Sequence, residues 1–405
     1  MIRALRQTIR PDRLRITHVI GSLDVGGAER ALCSLVANID PALVEMKIVA
    51  LISGGPLIDS VRRRGIEVET LSMRPGRPDP SAVVRLARRL RADRPDLVVT
   101  WMYHANLIGG LAAKLADRIP VVWNIRHTWL DPRRSKRSTR WIARAGGALS
   151  QRVPDAVVYV AHAAQESHAA LGYACPHSSV IPNGFDSDEF RPDPVARRHV
   201  RHELGLAPTT KLVGLVARFH PDKDHGSFLA SAAHMRRSNP QARFLLCGEG
   251  VTAENRQLTD WADQNGVPDA CHFLGPREDV PRLAAALDVA VCSSLTEAFP
   301  RAVGEAMACG VPCVVTDVGD AAHLVGDTGR IVPAGDPAAL AAGVCELLAL
   351  DEGARRALGR RARERIVENF SQERVVARHW GLWRQLAAGR PNGIDPQRHD
   401  RQHAA

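Results

Sequence analysis

Short apolar runs alternate with segments whose apolar residues recur every three or four positions, from about residue 14 to residue 370. In the first half the apolar runs read ITHVIGSL, MKIVALI, IEVETLS, LVVTWM, VVWNIRH and AVVYVAH, with helical spacing in AERALCSLVANI and SAVVRLARRLRAD between them. From Lys211 a second series follows. Its strands are LVGLVARF, RFLLCGEG, CHFLGP, VAVCSS and CVVTDV, and its helices include SFLASAAHMRRS, VPRLAAALD and RAVGEAMACG. Near-continuous apolar strands separated by amphipathic helices are what a parallel sheet covered on both faces requires. The pattern predicts an α/β chain of two Rossmann-like, doubly wound domains, 1–187 and 188–370. The boundary falls in SVIPNGFDSDEFRPD, whose Pro, Gly, Asn and Asp are loop composition. Two helical stretches close the pattern, from Asp336 to about Asn369 and over 371–388, the second expected to pack back toward the first domain. From Gly389 onward the residues are polar and patternless, and a disordered tail over 389–405 is the expectation. Doubly wound sheets bind ligands outside the carboxyl ends of their strands, so two of them predict a central cleft.

Composition narrows the class. At 405 residues the chain exceeds what one hydrophobic core supports, and 45% hydrophobic with 24% charged residues is ordinary for a globular protein. No apolar run reaches the ~18 residues of a membrane span, and the first twenty residues make a poor signal peptide, so a cytoplasmic protein is expected. Eight cysteines stand singly, at Cys33, Cys175, Cys247, Cys271, Cys292, Cys309, Cys313 and Cys345; without a CxxC pair they read as buried free thiols. The net charge of +10 is uneven: residues 1–187 hold 27 Lys and Arg against 16 Asp and Glu, leaving 27 against 28 for the rest. Aromatics at 4% and no nucleic-acid motif argue against nucleic acid as the partner. An anionic membrane face or a lipid-phosphate acceptor fits the basic half better, beside the plain reading of an arginine-rich composition with no partner.

The chemistry-bearing residues cluster at predicted strand ends. GSLDVGGAER leads from the first strand into a helix, and Gly26 and Gly27 let a backbone approach a ligand at that helix N-terminus. It is not a GxGxxG fingerprint, and a purely structural tight turn reads as well. Arg218 and Lys223 follow a strand at five residues' separation. Two surface charges are one reading; two cations that stabilise a departing diphosphate are the other. Glu297 falls in a loop and Glu305 in the helix after it, a carboxylate pair suited to sugar hydroxyls. Glu305 lies among Val303, Ala306 and Met307, an expensive place for an unpaired charge.

The E-x(7)-E spacing of Glu297 and Glu305, followed by EAMACGVPCVVTDVG, resembles glycosyltransferase family 4, retaining transferases of the GT-B fold. IPNGFD at 181–186, FLGPREDV at 273–280, GGAER, Arg218 and Lys223 extend the resemblance over roughly residues 14–370. It implies that Arg218 and Lys223 hold the donor diphosphate, Glu305 the ribose, and Glu297 with Ala298 and Phe299 the donor sugar. Backbone near Gly275 and Arg277 would flank the base, Gly26 and Gly27 would close over phosphates and sugar, and His127 would be the active-site histidine. His104, also at a strand end, is an acceptor-side candidate. No cofactor is implied beyond the co-substrate, a UDP- or GDP-sugar, and no metal: Asp-x-Asp at 186–188 and 222–224 reads as loop and phosphate-loop chemistry. The acceptor would be a glycan or lipid-linked molecule of cell-envelope polysaccharide or glycolipid synthesis.

One departure from the family pattern is DVGDAAHLV, with Asp320 and His323 where many members carry Asn-Ala-Glu after DVGG; it leaves the sugar open. The basic stretch 133–152 reads as an amphipathic helix for the inner face of the membrane, or as a solvated helix face. Two rival functions share the fold and ligands, a non-hydrolysing nucleotide-sugar epimerase and a non-catalytic donor-binding subunit of a polysaccharide assembly complex. The E-x(7)-E pair argues against the first, and His127, Arg218, Lys223, Glu297 and Glu305 together against the second.

Overall fold

A computed structural model describes residues 13–24, 26–77, 79–128 and 137–389. The tail beyond Gly389 and residues 133–136 of the basic stretch lie outside the described residues. The chain divides into two compact units, Met1–Pro182 with Glu373–Ala405, and Asn183–Gln372.

The first unit is built on β1 (Leu14–Ile20), β2 (Val44–Ala50), β3 (Glu67–Thr70), β4 (Leu97–Trp101), β5 (Val121–Ile125), β6 (Ala156–Tyr159) and β7 (Ser178–Val180). Helices α1 (Gly27–Ala37), α2 (Leu57–Arg62), α3 (Ser81–Asp93), α4 (Met102–Leu115), α5 (Arg137–Leu149) and α6 (His162–Ala169) connect them. All strands are parallel, in the order β3-β2-β1-β4-β5-β6-β7. The order reverses between β1 and β4, the place where a doubly wound sheet opens a crevice. Strands β4, β5 and β6 are buried at every residue, as their unbroken apolar runs require.

The second unit has β8 (Leu212–Val216), β9 (Arg243–Cys247), β10 (Cys271–Phe273), β11 (Val289–Cys292), β12 (Cys313–Thr316) and β13 (Arg330–Val332). Around them lie α7 (Pro194–Glu203), α8 (His225–Ser238), α9 (Arg256–Gln264), α10 (Val280–Ala286), α11 (Arg301–Ala308), α12 (Ala321–Val325), α13 (Pro337–Ala349) and α14 (Glu352–Phe370). Its sheet is parallel, in the order β10-β9-β8-β11-β12-β13, and reverses between β8 and β11. The two Rossmann-like sheets expected from the pattern are thus present.

Three elements differ from the sequence reading. The helical stretch from Asp336 to about Asn369 is two helices, because Asp351 breaks it and caps α14 by accepting the Ala354 N–H at 2.8 Å. The loop-like segment before IPNG contributes edge strand β7, and β13 is a three-residue strand with only two apolar residues, Ile331 and Val332, too short to show a pattern. The last helix, α15 (Gln372–Ala388), buries Val375, His379, Trp383 and Ala387 at four-residue spacing, and Val375, Trp383 and Ala387 join the core of the first unit beside β1. All eight cysteines are free.

Candidate functional site

In the second unit the loops after β8 and β11, neighbours at the reversal point, are stitched together. The loop after β8 turns through the short helix Pro221–Lys223, and Asp224, in the left-handed region at φ +48°, starts α8 by accepting the Ser227 N–H at 3.1 Å. Leu295 donates its N–H to the Asp222 carbonyl at 2.8 Å, and the Ser293 hydroxyl donates to the Lys223 carbonyl at 2.8 Å. These bonds present the Lys223 ammonium to Glu297 Oε1 at 2.5 Å. The same oxygen accepts from Ser294 Oγ at 2.8 Å. Both charged side chains are largely sheltered, 24% exposed for Lys223 and 13% for Glu297. Arg218, two residues beyond β8, is exposed and forms no side-chain hydrogen bond or ion pair among the described residues.

The Glu297 loop has a fixed floor. Thr316 at the end of β12 donates to the Ser294 carbonyl at 2.6 Å, and the Asp320 N–H donates to the Ala298 carbonyl at 2.9 Å. Gly319, at φ +56°, lies against the Glu297 and Ala298 carbonyls where a side chain has no room. Asn183 of IPNG donates to the Phe299 carbonyl at 3.0 Å, and Phe299 stacks on Phe185. Glu305, in the interior of α11, is not unpaired: Arg301 one turn earlier lies 3.2 Å from its Oε1. Gly275, at φ +64°, follows β10, with its carbonyl accepting the Gly248 N–H at 2.9 Å. Arg277 is engaged by Asp279 at 2.8 Å and by Glu203 at 2.8 Å, which raises its pKa and leaves its backbone, not its guanidinium, for a ligand.

In the first unit the candidates flank the β1/β4 reversal and the next strand. Gly26 precedes α1 and Gly27 is its first residue, and the Glu29 carboxylate lies against Gly26, where a side chain would push it aside. Burial raises the Glu29 pKa. His104 is exposed in the first turn of α4, and His127 is exposed two residues beyond β5. Their supports are tied together: Arg126 donates its N–H to Met102 Sδ at 3.4 Å, and Ser167 on α6 donates to the Thr128 carbonyl. His168 anchors the base of this face. Its Nδ1 lies 2.7 Å from the Ala164 carbonyl and must donate there, so Nε2 accepts from the Tyr103 hydroxyl at 2.8 Å. Burial pushes the His168 pKa down to about 4, keeping this neutral tautomer.

The structure therefore joins Lys223 to Glu297, pairs Glu305 with Arg301, and leaves Arg218, His104 and His127 exposed. Ser293, Ser294, Thr316 and Gly319 were not identified from the sequence. The only signal was two serines where strand VAVCSS turns polar. Asp186 accepts the Asp188 and Glu189 N–H groups and Asp224 caps α8, so both Asp-x-Asp segments serve local turns. Among the described residues no cluster of His, Cys, Asp or Glu could hold a metal ion. An ammonium and a carboxylate fixed side by side, with a guanidinium five residues away, suit a ligand that carries both anionic and hydroxyl groups.

Comparison with known proteins fits that chemistry. The model described as Glycosyltransferase Family 4 matches residues 25–189, and that described as Glycosyl transferases group 1 matches residues 210–350. The D-inositol 3-phosphate glycosyltransferase of Geodermatophilus obscurus is 33% identical over 264 residues, 60% of this chain and 57% of that protein. The UDP-Gal:alpha-D-GlcNAc-diphosphoundecaprenol alpha-1,3-galactosyltransferase of Escherichia coli is 26% identical over 244 residues, 59% of this chain and 62% of its own length. The chain thus spans about three-fifths of these two relatives. Among solved structures, Anabaena Alr3699/HepE in complex with UDP and glucose superposes with a TM-score of 0.79 at 23% identity, covering 91% of this chain and 99% of that one.

Proposed function

Because this chain belongs to glycosyltransferase family 4, we propose that it moves a sugar from a nucleotide-sugar donor to an acceptor hydroxyl with retention of configuration. The observation that carries this reading is the Lys223–Glu297 contact at the reversal point of the second sheet, supported by Ser294. Arg218 and Lys223 take the donor diphosphate, whose charge grows as the sugar leaves and is held more strongly in the transition state than before it. Glu297 accepts from sugar hydroxyls through Oε2, because Oε1 already serves Lys223 and Ser294. Glu305 takes the ribose, with Ala298 and Phe299 contributing backbone beside the sugar and Gly275 and Arg277 beside the base. From the first unit, Gly26, Gly27 and His127 serve the donor sugar and His104 the acceptor.

In the reaction the acceptor oxygen bonds to the anomeric carbon as the bond from that carbon to the phosphate oxygen breaks. The departing phosphate oxygen, on the same face, receives the acceptor proton, so no separate protein base is required. A UDP-sugar is the favoured donor, since UDP is named for both the Anabaena protein and the E. coli relative. The acceptor is an envelope glycan or lipid-linked molecule, the class that the E. coli name specifies for that enzyme.

This reading extends to an anionic membrane surface on the cytoplasmic side. Helix α5 buries Ala143, Gly146 and Gly147, and its two glycines let it lie against Tyr173 and the Leu171 carbonyl. Arg137, Trp141, Arg144 and Ala148 recur on its exposed side, with Trp141 71% exposed. An aromatic ring flanked by arginines, with no acidic residue on the helix, suits the boundary between headgroups and acyl chains. No helix among the described residues is long and apolar enough to cross a membrane.

The test is thermal unfolding in the presence of UDP-, GDP- and ADP-sugars and of the free nucleotides. A donor at ~100 times its Kd should stabilise the native state by about 2.7 kcal/mol. The expected result is a shift with one donor class that Arg218→Ala and Glu305→Ala each diminish. Folded protein that responds to none of these ligands would overturn the donor site.

A further inference from the structure

We infer that Glu297 and the donor diphosphate compete for Lys223, and that Ser294 is a positioning residue that keeps Glu297 in place while the lysine changes partner. The inference rests on the donor-site reading above and adds to it an internal occupant of the phosphate cation.

Lys223 has a counter-charge within the protein. Its ammonium lies 2.5 Å from Glu297 Oε1, its carbonyl is held by the Ser293 hydroxyl and the preceding Asp222 carbonyl by the Leu295 N–H, so the loop is tied on both sides of the lysine. An approaching diphosphate therefore meets an ion pair. It gains a cation only as the carboxylate gives it up, and until then it feels the negative charge of Glu297 at short range. Arg218, exposed and five residues away in sequence, carries no such competitor among the described residues.

Release of the lysine would leave Glu297 a charge only 13% exposed, costly unless another donor remains. Ser294 is that donor. Its side chain is buried with the rest of the residue at 2% exposure, its hydroxyl gives its proton to Oε1 at 2.8 Å, and its carbonyl is tied down by Thr316 at 2.6 Å. Glu297 thus keeps one fixed oxygen and turns the other to the sugar. In this exchange the phosphate takes the lysine only when the carboxylate is free to take a hydroxyl. Diphosphate and sugar recognition become coupled, and a free nucleoside diphosphate, which has no sugar to satisfy Glu297, binds at a disadvantage relative to the intact donor.

Isothermal titration of UDP and GDP in the presence of a chelator tests this with the parent, Glu297→Gln, Lys223→Met and their double variant, and with Ser294→Ala and Ser294→Thr. Glutamine keeps the shape of Glu297 and removes its charge, so Glu297→Gln should bind the diphosphate about five- to tenfold more tightly, while sugar transfer falls. Lys223→Met should bind more weakly than the parent, and adding Glu297→Gln to it should restore little, because the competition needs the lysine. Ser294→Ala should weaken diphosphate binding several-fold and raise the KM for the intact donor, with Ser294→Thr recovering much of both; unchanged diphosphate affinity in Ser294→Ala would overturn the role of Ser294. Glu297→Gln binding no tighter than the parent overturns the competition, as does equal tightening with and without Lys223, which would mean general charge removal. A parent protein that binds neither diphosphate overturns the donor site itself, a separable result.

Discussion

Asp288, immediately before β11, has both carboxylate oxygens committed: Oδ1 to Arg197 at 2.7 Å, and Oδ2 to Arg201 at 2.6 Å and the Leu212 N–H at 2.8 Å. Burial works to raise its pKa, but Arg197, the Leu212 N–H and Arg201 outweigh it and hold the carboxyl below its usual range. The Arg201 side chain is only 4% exposed. Asp288→Asn leaves that guanidinium buried without its counter-charge, and should cost about 3–5 kcal/mol of stability. Urea unfolding would show it as a lower midpoint at unchanged slope; a midpoint within error of the parent would contradict it. Nucleotide affinity of the folded variant should hold, because Asp288 lies at the amino end of β11 and Glu297 follows its carboxyl end. At this scale the charges were legible and their partners were not. Arg218, Lys223, Glu297 and Glu305 stand out by spacing. Ser294 does not, since a serine after an apolar strand reads equally as a turn residue, and only the path of the following turn carries it to Glu297.

Helix α15 shows the same division among elements. Its four-residue apolar spacing predicts a helix with one buried face, but the surface that face meets includes β1, near the other end of the chain. His379 and His18 flank Trp383 there at ring separations of 5.6 and 5.5 Å. Trp101 Nε1 reaches His18 Nδ1 at 3.3 Å, while Arg126 and Arg378 act on His379. Burial pushes both imidazoles down to about 3, so both are neutral in the native protein. The unfolded chain takes up these protons near pH 6.5 and the folded one only near pH 3. Their contribution is complete above about pH 6.5 and declines as the pH falls, by up to about 1.4 kcal/mol per pH unit for each histidine. His379→Leu should therefore flatten the fall in unfolding free energy between pH 6.5 and 4. Parallel curves for variant and parent would show that His379 titrates no differently when folded.

For the molecule as a whole, charge asymmetry is the feature on which the proposed membrane surface is tested. The excess of Lys and Arg lies within residues 1–187, and α5 in that half adds an exposed ring between arginines. The protein should sediment with vesicles containing phosphatidylglycerol and much less with phosphatidylcholine alone, the difference shrinking at high salt. Trp141→Ala should reduce the bound fraction several-fold, and Arg137→Ser with Arg144→Ser should abolish the lipid preference. Equal binding to both vesicles would remove the membrane from the account of this protein.

The sequence by itself determined that there are two parallel α/β sheets, because strand and helix periodicities are local and repeat along the chain. It also determined which charged residues follow which strands, and through motif order the family to which the chain belongs. Tertiary structure decided strand order, and with it the fact that the loops of Lys223 and Glu297 are neighbours at a reversal point. It decided that Glu305 is paired with Arg301 and that Lys223 meets Glu297. The physical reason is that periodicity is set within a few residues, whereas a hydrogen bond joins atoms whose separation along the chain is arbitrary. Lys223 and the carboxylate it holds are 74 positions apart along the chain, and only the crossover from β8 to β11 brings them together.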